Sequence, residues 1–360
     1  MGGICRVTGI IIKNKTNNII KIFHFHGENT MNIEQNIKNH YNIITSSDNT
    51  LVPQIAVSLT AIAKNLANDI IHFYLLHSNI GPQNLHLLSE LCNGFGNIIF
   101  HEIQIDNPEI FDPLVQAGNW IRETYFPLCA HQLLPDTIDR ALYLDAGDTL
   151  VVGDIKPYYT CDFEDHFLIV TGEKHKLENN VYVPFTSDDI YNPQFLSGIL
   201  SGLFNSGSYV LNLKKMRETG IDISYYYFLT EQIRQLKSNA CKEDFLYFGD
   251  QGLLSVAFIG SLKYYGYPNI QKLWYCPYNF CLGYYQHFDQ KPDYQPAVLH
   301  FAGVPFKPWK ANYPIFPKRF KTTGGTLHEL SELKPILMEY YFLWLEYLFL
   351  LDKTLELLDL

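Results

Sequence analysis

Positive charge is scarce in this sequence of 360 residues. Lys and Arg number 27 against 37 Asp and Glu, so the formal net charge is −10. Because proteins bind nucleic-acid phosphates mainly through Lys and Arg, this balance excludes a general nucleic-acid binder. Charged residues of both signs make up only 18%, whereas hydrophobic residues reach 47%. That ratio excludes a largely disordered chain or a coiled coil and predicts a globular protein with a sizeable core.

Cysteine is sparse as well. The seven cysteines are odd in number and scattered, and Cys276 and Cys281 are the only close pair. A secreted disulfide framework would favour an even, clustered set, so we expect a reducing compartment and a cytoplasmic location. The apolar stretch 10–12, followed by Lys13, is too short for a signal peptide or a membrane span.

Two apolar runs between Gly9 and Phe25, separated by the polar residues 14–18, predict a β-hairpin. We expect residues 1–39 to form an accessory hairpin or extension and residues 40–312 to form the main domain. Residues 313–360 then form a helical tail.

From Tyr41 onward, short apolar runs alternate with stretches of helical spacing. The predicted strands lie at residues 43–45, 70–76, 98–103, 141–144, 167–172 and 203–213, and the predicted helices at 52–66, 83–91, 120–134 and 214–218. This alternation predicts an α/β fold with a mainly parallel sheet covered on both faces. Ligands bind beyond the carboxyl ends of the strands in such sheets, where Asp48 and Asp145 both fall.

Asp145 and Asp148 flank a tight turn after the strand that ends at Leu144. Gly147 permits the bend, so both carboxylates can converge on one divalent cation. Hard oxygen ligands suit Mg²⁺ or Mn²⁺, which would neutralise a diphosphate. An ordinary acidic turn explains the same residues equally well, because Asp and Gly are common turn formers.

His300 follows an apolar run and precedes Lys307. An imidazole as third ligand would favour Mn²⁺, and Lys307 would meet a phosphate as a point charge. Taken alone, such a histidine is more often a hydrogen-bonded core residue. The segments 204–207 and 249–252 combine polar residues with glycines, a pattern that is also typical of plain turns.

Taken together and in order, these segments resemble glycosyltransferase family 8, which includes bacterial lipopolysaccharide galactosyl- and glucosyltransferases and glycogenin. The segments that carry the resemblance are Ser47-Asp48, Leu144-Asp145-Ala146-Gly147-Asp148, Phe204-Asn205-Ser206-Gly207, Asp250-Gln251, His300-Phe301-Ala302-Gly303 and Lys307-Pro308-Trp309. The resemblance spans residues 42–309. It implies a GT-A fold, with a Rossmann-like, mainly parallel sheet flanked by helices, as the catalytic domain.

The resemblance also implies an activity, the retaining transfer of a hexose from UDP-glucose or UDP-galactose to a glycan acceptor. Bacterial lipopolysaccharide or another surface glycan would be the acceptor, and Mn²⁺ or Mg²⁺ would hold the diphosphate. The metal ligands would be Asp145, Asp148 and His300. The donor would be bound by Asp48, which accepts from the uracil, and by Asn205, Ser206, Gly303 and Lys307. The catalytic sugar pocket would contain Asp250, which orients sugar hydroxyls, and Gln251, which faces the anomeric carbon.

The sequence departs from the family pattern in places. The metal motif is usually Asp-x-Asp, whereas Gly147 adds a residue here, and we expect the glycine to bulge and return Asp148 to the site. Residues 49–51 lack the tyrosine that often stacks on uracil. The family's Tyr-x-Arg reads Tyr-Phe-Pro at residues 125–127, and Arg122 is the candidate substitute. These changes leave the reaction class intact and the donor sugar open.

Two other functions compete with this hypothesis. The departures would suit a catalytically silent sugar-nucleotide or glycan-binding protein, although the joint presence of Asp250, Gln251, His300 and Lys307 opposes it. A nucleotidyltransferase also uses paired aspartates at a sheet edge, but no Gly-, Arg- and Lys-rich phosphate loop follows the first strand.

The tail contains a strongly apolar helix from Pro335 to Leu351, interrupted by Glu339 and Glu346. It is too short and too charged for a comfortable membrane span. Because this helix carries no basic residue, we favour packing on the catalytic domain or on a second subunit over docking at the inner face of the plasma membrane. For the acceptor, we expect the aromatic residues between Tyr182 and Tyr285 to shape the pocket, above all within 173–201.

Overall fold

The computed structural model describes residues 8–13, 19–24, 38–115, 120–171, 200, 202–240, 246–265, 277–286, 294–320 and 326–360. The chain divides into two compact units, Met1–Lys38 and Asn39–Leu360. In the first unit, strands β1 (Thr8–Lys13) and β2 (Ile19–His24) pair antiparallel, which agrees with the predicted hairpin. The domain boundaries predicted at 39/40 and 312/313 stay predictions.

A seven-stranded sheet forms the centre of the second unit. The strands of this unit are β3 (His40–Ser46), β4 (Ile70–His77), β5 (Ile98–Gln104), β6 (Arg140–Leu144), β7 (Thr149–Val151), β8 (Leu168–Val170), β9 (Ser208–Asn212), β10 (Leu262–Tyr264), β11 (Phe280–Cys281), β12 (Val298–His300), β13 (Ala311–Asn312) and β14 (His328–Glu329). The order in the large sheet is β10-β8-β9-β6-β3-β4-β5. Strand β9 runs antiparallel to β6 and β8, and the other pairs are parallel, so the sheet is mainly parallel as predicted.

Helices connect and cover these strands. The α-helices are α1 (Val52–Asn65), α2 (Pro82–Phe95), α3 (Ala130–Leu133), α4 (Lys156–Tyr159), α5 (Leu213–Glu218), α6 (Ile223–Ala240), α7 (Gly249–Ala257), α8 (Leu282–Tyr285) and α9 (Pro335–Leu357). Short 3-10 helices lie at 49–51, 108–114, 122–129, 308–310, 318–320 and 330–332. Helix α2 shows why the ends fall where they do: proline occupies its first turn, and Gly96, with φ of +75°, closes it by donating to the carbonyl of Cys92.

Two sequence-based boundaries were wrong. The helix predicted at 120–134 is a 3-10 helix over Arg122–Cys129 followed by the four-residue α3. Pro127 lies inside this segment and has no N–H to give to a regular α-helix. The strand predicted at 203–213 begins only at Ser208, because the preceding Asn205–Gly207 forms a turn.

The core lies on both faces of the large sheet. Adjacent residues of β3 point to opposite sides, with Ile43 packed under α1, α2 and α9, and Ile44 packed under the segments that contain α6 and α7. The tail helix α9 buries Trp344 in the first of these cores. This agrees with the predicted packing on the main domain. No helix within the described ranges is long and apolar enough to cross a membrane.

A second, three-stranded sheet brings distant parts of the sequence together. Its order is β11-β12-β7, and β12 runs antiparallel to β7 with His300 opposite Thr149. Because Thr149 directly follows Asp148, this register carries His300 to the acidic turn. His300 and Thr149 are 151 positions apart in the sequence, and the pairing of β12 with β7 joins them.

Candidate active site

Asp145 lies in the turn that follows the carboxyl end of β6, a strand in the middle of the large sheet. The Asp145 N–H donates to the carbonyl of Gly207 (3.0 Å), and the hydroxyl of Tyr143 donates to Asp145 Oδ1 (2.9 Å). Gly147 has φ of +70°, and a β-carbon there would lie 2.5 Å from Cβ of Gln54. The extra residue is therefore accommodated by a left-handed glycine, as the sequence predicted.

His300 is nearly fully buried beside this turn, with 2% of its surface exposed. Its Nδ1 lies 3.0 Å from Oδ1 of Asn279, and its Nε2 lies 3.4 Å from Oδ2 of Asp145. An amide oxygen can only accept, so Nδ1 carries the ring proton of the neutral form. Nε2 then points an available lone pair at the acidic turn, and it makes no hydrogen bond within the described residues.

Asp148 is paired with Lys307. Lys307 Nζ lies 2.5 Å from Asp148 Oδ2 and donates to the carbonyl of Phe301 (3.0 Å). Burial raises the pKa of the Asp148 carboxyl, and the positive charge of Lys307 opposes that shift. The backbone carbonyl of Asp148 also accepts from the N–H of Phe301 (2.8 Å). The acidic turn and the segment after His300 are thus fixed to each other.

Four further predicted residues form two hydrogen-bonded groups, one of Ser206 with Asp250 and Gln251, and one of Asn205 with Gly207 and Asn279. The Ser206 N–H donates to Gln251 Oε1 (3.1 Å), and the Ser206 hydroxyl bonds to the Asp250 carboxyl. Asn205 Oδ1 accepts from the N–H of Gly207 and from Nδ2 of Asn279, both at 3.0 Å. Through Asn279, the second group is connected to His300.

Asp250 is buried at the start of α7, with 6% of its surface exposed. Burial, followed by the negative charge of Asp145, raises the pKa of the Asp250 carboxyl to about 8. The hydrogen bond from Ser206 lowers it in part. A carboxyl in this environment readily carries a proton near neutral pH and can then donate as well as accept.

Asp48 and Gly303 occupy the outer parts of the site. Asp48 is half-buried after β3, and its Oδ1 accepts from the N–H (2.8 Å) and the hydroxyl (2.6 Å) of Thr50. Gly303 has φ of +65°, and its carbonyl accepts from Nε2 of Gln286 (3.1 Å). A β-carbon on Gly283 would lie 2.6 Å from Cα of Gly303, so the two backbones pass close together here.

The carboxylate oxygens and the imidazole nitrogen of this site are atoms of the kinds that bind divalent cations. Among the residues whose positions the structure gives, no three His, Cys, Asp or Glu side chains are clustered tightly enough to hold a metal ion. Yet Asp145 and His300 face each other, and the buried Nε2 with no hydrogen-bond partner is the atom that a metal would use. In His300, the ring nitrogen that points away from Asp145 is hydrogen-bonded to Asn279. Metal-binding histidines usually have their second ring nitrogen hydrogen-bonded in this way.

Asn279 is the residue that sequence analysis missed. It lies 2% exposed just before β11 and contacts both His300 and Asn205. The only signal in the sequence is its place before the short apolar Phe280–Cys281, which is too weak to identify it. Arg122, the candidate substitute for the missing arginine, is ion-paired with Asp112 (2.6 Å). Most of the aromatic connection 173–201 lies outside the described residues.

Comparison with known proteins agrees with these motifs. The sequence model for Glycosyl transferase family 8 matches residues 37–313. A lipopolysaccharide 1,2-glucosyltransferase of Escherichia coli is 20% identical over 281 residues, which cover 76% of this chain and 75% of that protein.

Among solved structures, the galactosyltransferase LgtC, in complex with donor and acceptor sugar analogs, superposes with a TM-score of 0.54 at 22% identity. That match covers 74% of this chain and 89% of LgtC. The glycosyltransferase GlyE of Streptococcus pneumoniae TIGR4 gives a TM-score of 0.53 at 17% identity, over 88% and 63% of the two chains. These likenesses establish the GT-A fold.

Proposed function

This chain belongs to glycosyl transferase family 8, and we propose that it transfers glucose or galactose from a UDP-sugar to a glycan with retention of configuration. Mn²⁺, or Mg²⁺ in its place, would be bound by Asp145, Asp148 and His300. The observation that carries this proposal is the buried Nε2 of His300, which faces Asp145 without a hydrogen bond. A buried nitrogen is costly to leave unpaired, and a cation would satisfy it.

The reaction breaks the bond between the anomeric carbon and the β-phosphate oxygen of UDP and forms a bond from that carbon to an acceptor hydroxyl. Asp145, Asp148 and His300 would hold a cation, which would supply positive charge next to the leaving diphosphate. Lys307, whose Nζ lies beside Asp148 in the acidic turn, would add a second positive charge at the diphosphate. The acceptor's proton leaves with the diphosphate.

The remaining residues hold the donor. Asp48 would accept from the uracil, Gly303 would contact the diphosphate, and Asn205 and Ser206 would line the sugar pocket. The Ser206 N–H orients the amide oxygen of Gln251, which we assign to the anomeric carbon. Asp250, buried behind it, would bind sugar hydroxyls as either donor or acceptor.

The acceptor that we propose is bacterial lipopolysaccharide or another surface glycan, in line with the E. coli relative. We place the enzyme in the cytoplasm, with possible contact to the inner face of the plasma membrane or to a second subunit through α9. In support, Phe342 and Phe349 of α9 remain exposed at 37% and 38%.

The test is to incubate the chain with Mn²⁺ and a panel of UDP-sugars and to measure UDP release with and without acceptor. We expect release from UDP-glucose or UDP-galactose, and loss of it in Asp145→Asn and Asp148→Asn. Asp154→Asn is the matched control, since Asp154 lies in the next loop and only caps the N–H of Lys156 (2.8 Å).

Other outcomes would overturn parts of the proposal. If UDP binds but no donor releases it, the chain is a catalytically silent sugar-nucleotide-binding protein. If Asp148→Asn retains full release, Asp148 is not a metal ligand and serves only to hold Lys307.

A further inference from the structure

A cavity of about 690 Å³ opens between α2 and the carboxyl ends of β4 and β5. Its floor is formed by Phe100, Glu102 and Gln104, which alternate along β5 and therefore share one face of the strand. Leu85 and Ser89, one turn apart on α2, form a wall. Its volume lies in the range of about 300–1,000 Å³ that is usual for small-ligand sites.

The polar groups in this cavity are held in place. His77 is 2% exposed, and its Nδ1 accepts from the N–H of Ile80 (3.2 Å), so the proton of the neutral ring is on Nε2. That Nε2 lies 3.3 Å from Oε1 of Glu102. The Glu102 side chain is still 43% exposed, so the rest of its carboxylate remains open to a ligand.

The charges of the residues that line the cavity indicate which class of ligand it can bind. No Lys or Arg is among the lining residues, and Glu102 is the one carboxylate among them. A phosphate would therefore be repelled. A neutral, hydroxyl-rich molecule fits, because Glu102 accepts, Gln104 and the Ser89 hydroxyl both donate and accept, and Phe100 and Leu85 supply apolar surface for a sugar face. The Ser78 hydroxyl donates to Glu123 Oε1 (2.6 Å) and can therefore only accept from a ligand.

The cavity is connected to the proposed donor site. Asn49, the neighbour of Asp48, accepts from the N–H of Gly81 and from Nδ2 of Asn84, both at 2.9 Å. Gly81 directly precedes α2, which forms the cavity wall. The loop that would bind uracil and the rim of the cavity are thus held together.

We propose that this β4–β5 cavity is a second carbohydrate site, which binds an outer, unphosphorylated sugar of the acceptor glycan. The choice of occupant rests on the proposed transferase function, whereas sugar binding itself does not. Such a site holds the acceptor chain while its end reaches the transfer centre.

Binding can be measured by saturation-transfer NMR and calorimetry with lactose, maltotriose and cellotriose, with UDP and Mn²⁺ present to occupy the donor site. Wild-type protein should bind at least one of these sugars. Glu102→Gln should weaken binding about tenfold by replacing a charged acceptor, and Ser89→Trp should abolish binding by filling the cavity. Glu90→Gln, on the same helix but outside the lining, is the matched control.

The outcomes separate the two proposals. Sugar binding that depends on Glu102 and Ser89, in a chain that releases UDP from no donor, would support the cavity and overturn the transferase. Normal UDP release with no sugar binding, or with equal binding in all variants, would overturn the cavity alone. If both proposals hold, the two cavity variants should raise the KM for the acceptor and leave acceptor-independent UDP release unchanged.

Discussion

Asn279 Oδ1 lies 3.0 Å from Nδ1 of His300, and this contact decides which nitrogen of the imidazole faces Asp145. The same Asn279 donates from Nδ2 to Asn205, so one amide contacts both His300 and a residue of the proposed sugar pocket. Because an amide oxygen cannot donate, the proton stays on Nδ1. The lone pair of Nε2 therefore faces Asp145.

We expect Asn279→Ala to weaken Mn²⁺ binding about 10- to 100-fold, because residues that orient a metal-binding histidine have effects of that size. The measurement is a Mn²⁺ titration followed by electron paramagnetic resonance, together with the Mn²⁺ dependence of UDP release. Asn93→Ala on α2, where Asn93 is exposed, is the control. Unchanged Mn²⁺ affinity in Asn279→Ala would contradict a metal-binding role for His300.

Gly207 leaves the space that the His300 ring occupies. A β-carbon at Gly207 would lie 2.0 Å from Cε1 and 2.3 Å from Nδ1 of that ring. We therefore expect Gly207→Ala to displace the imidazole and to lower UDP release by at least about tenfold, since small misplacements in a site are costly.

The control for this variant is Gly81→Ala, where the added carbon would meet Asn49 at an ordinary 3.6 Å. Both variants should be compared for UDP release at saturating Mn²⁺ and for thermal unfolding. Wild-type rates in Gly207→Ala would show that His300 need not occupy its present position.

Much of the fold could be predicted because its signals are local. Strand β4 is a long apolar run, and helices α1 and α2 have apolar patterns with proline in their first turns, so their bounds were predicted to within a few residues. The motif residues were identified by their order along the chain. The structure brings Asp145, Asp148, His300 and Lys307 together as expected.

The rest depended on long-range pairing. Nothing local in Ser208–Asn212 indicates that β9 runs antiparallel between β6 and β8. Asn279 contacts His300 only because β11 and β12 lie side by side, and a single sequence does not reveal that pairing. The segment 122–129 has helical spacing, and Pro127 and tertiary packing turned it into a 3-10 helix.

The raised pKa of Asp250 predicts a pH-dependent difference between the wild type and Asp250→Asn. The folded carboxyl has a pKa of about 8 against 3.8 for an unperturbed one, so between these values the folded state binds more protons than the unfolded state. The contribution of Asp250 to wild-type stability must then fall as pH rises from about 4 to about 8. Asparagine has no such dependence.

We therefore expect the melting temperature of Asp250→Asn, relative to the wild type, to rise across this interval and to level off above it. Thermal unfolding should be followed in chelator-treated protein, because a cation near Asp145 would lower the pKa of Asp250. Asp154→Asn, an exposed substitution, controls for a general effect of charge removal. A constant difference in melting temperature at all pH values would contradict the shift.

Trp344 anchors the tail helix to the main domain. It is 2% exposed, packs near Trp309 with ring centroids 6.1 Å apart, and belongs to the core under α1 and α2.

We expect Trp344→Ala to lower the free energy of unfolding by about 3–5 kcal/mol, because it removes a large buried ring and leaves a cavity. Phe342→Ala removes a ring that is 37% exposed and lies 6.2 Å from the Tyr313 ring, so it should lower the free energy of unfolding by less, about 1 kcal/mol. Urea denaturation followed by tryptophan fluorescence and circular dichroism compares the two. If Phe342→Ala proves as destabilising as Trp344→Ala, the outer face of α9 is covered in solution, and a second copy of the chain becomes the partner to test by sedimentation.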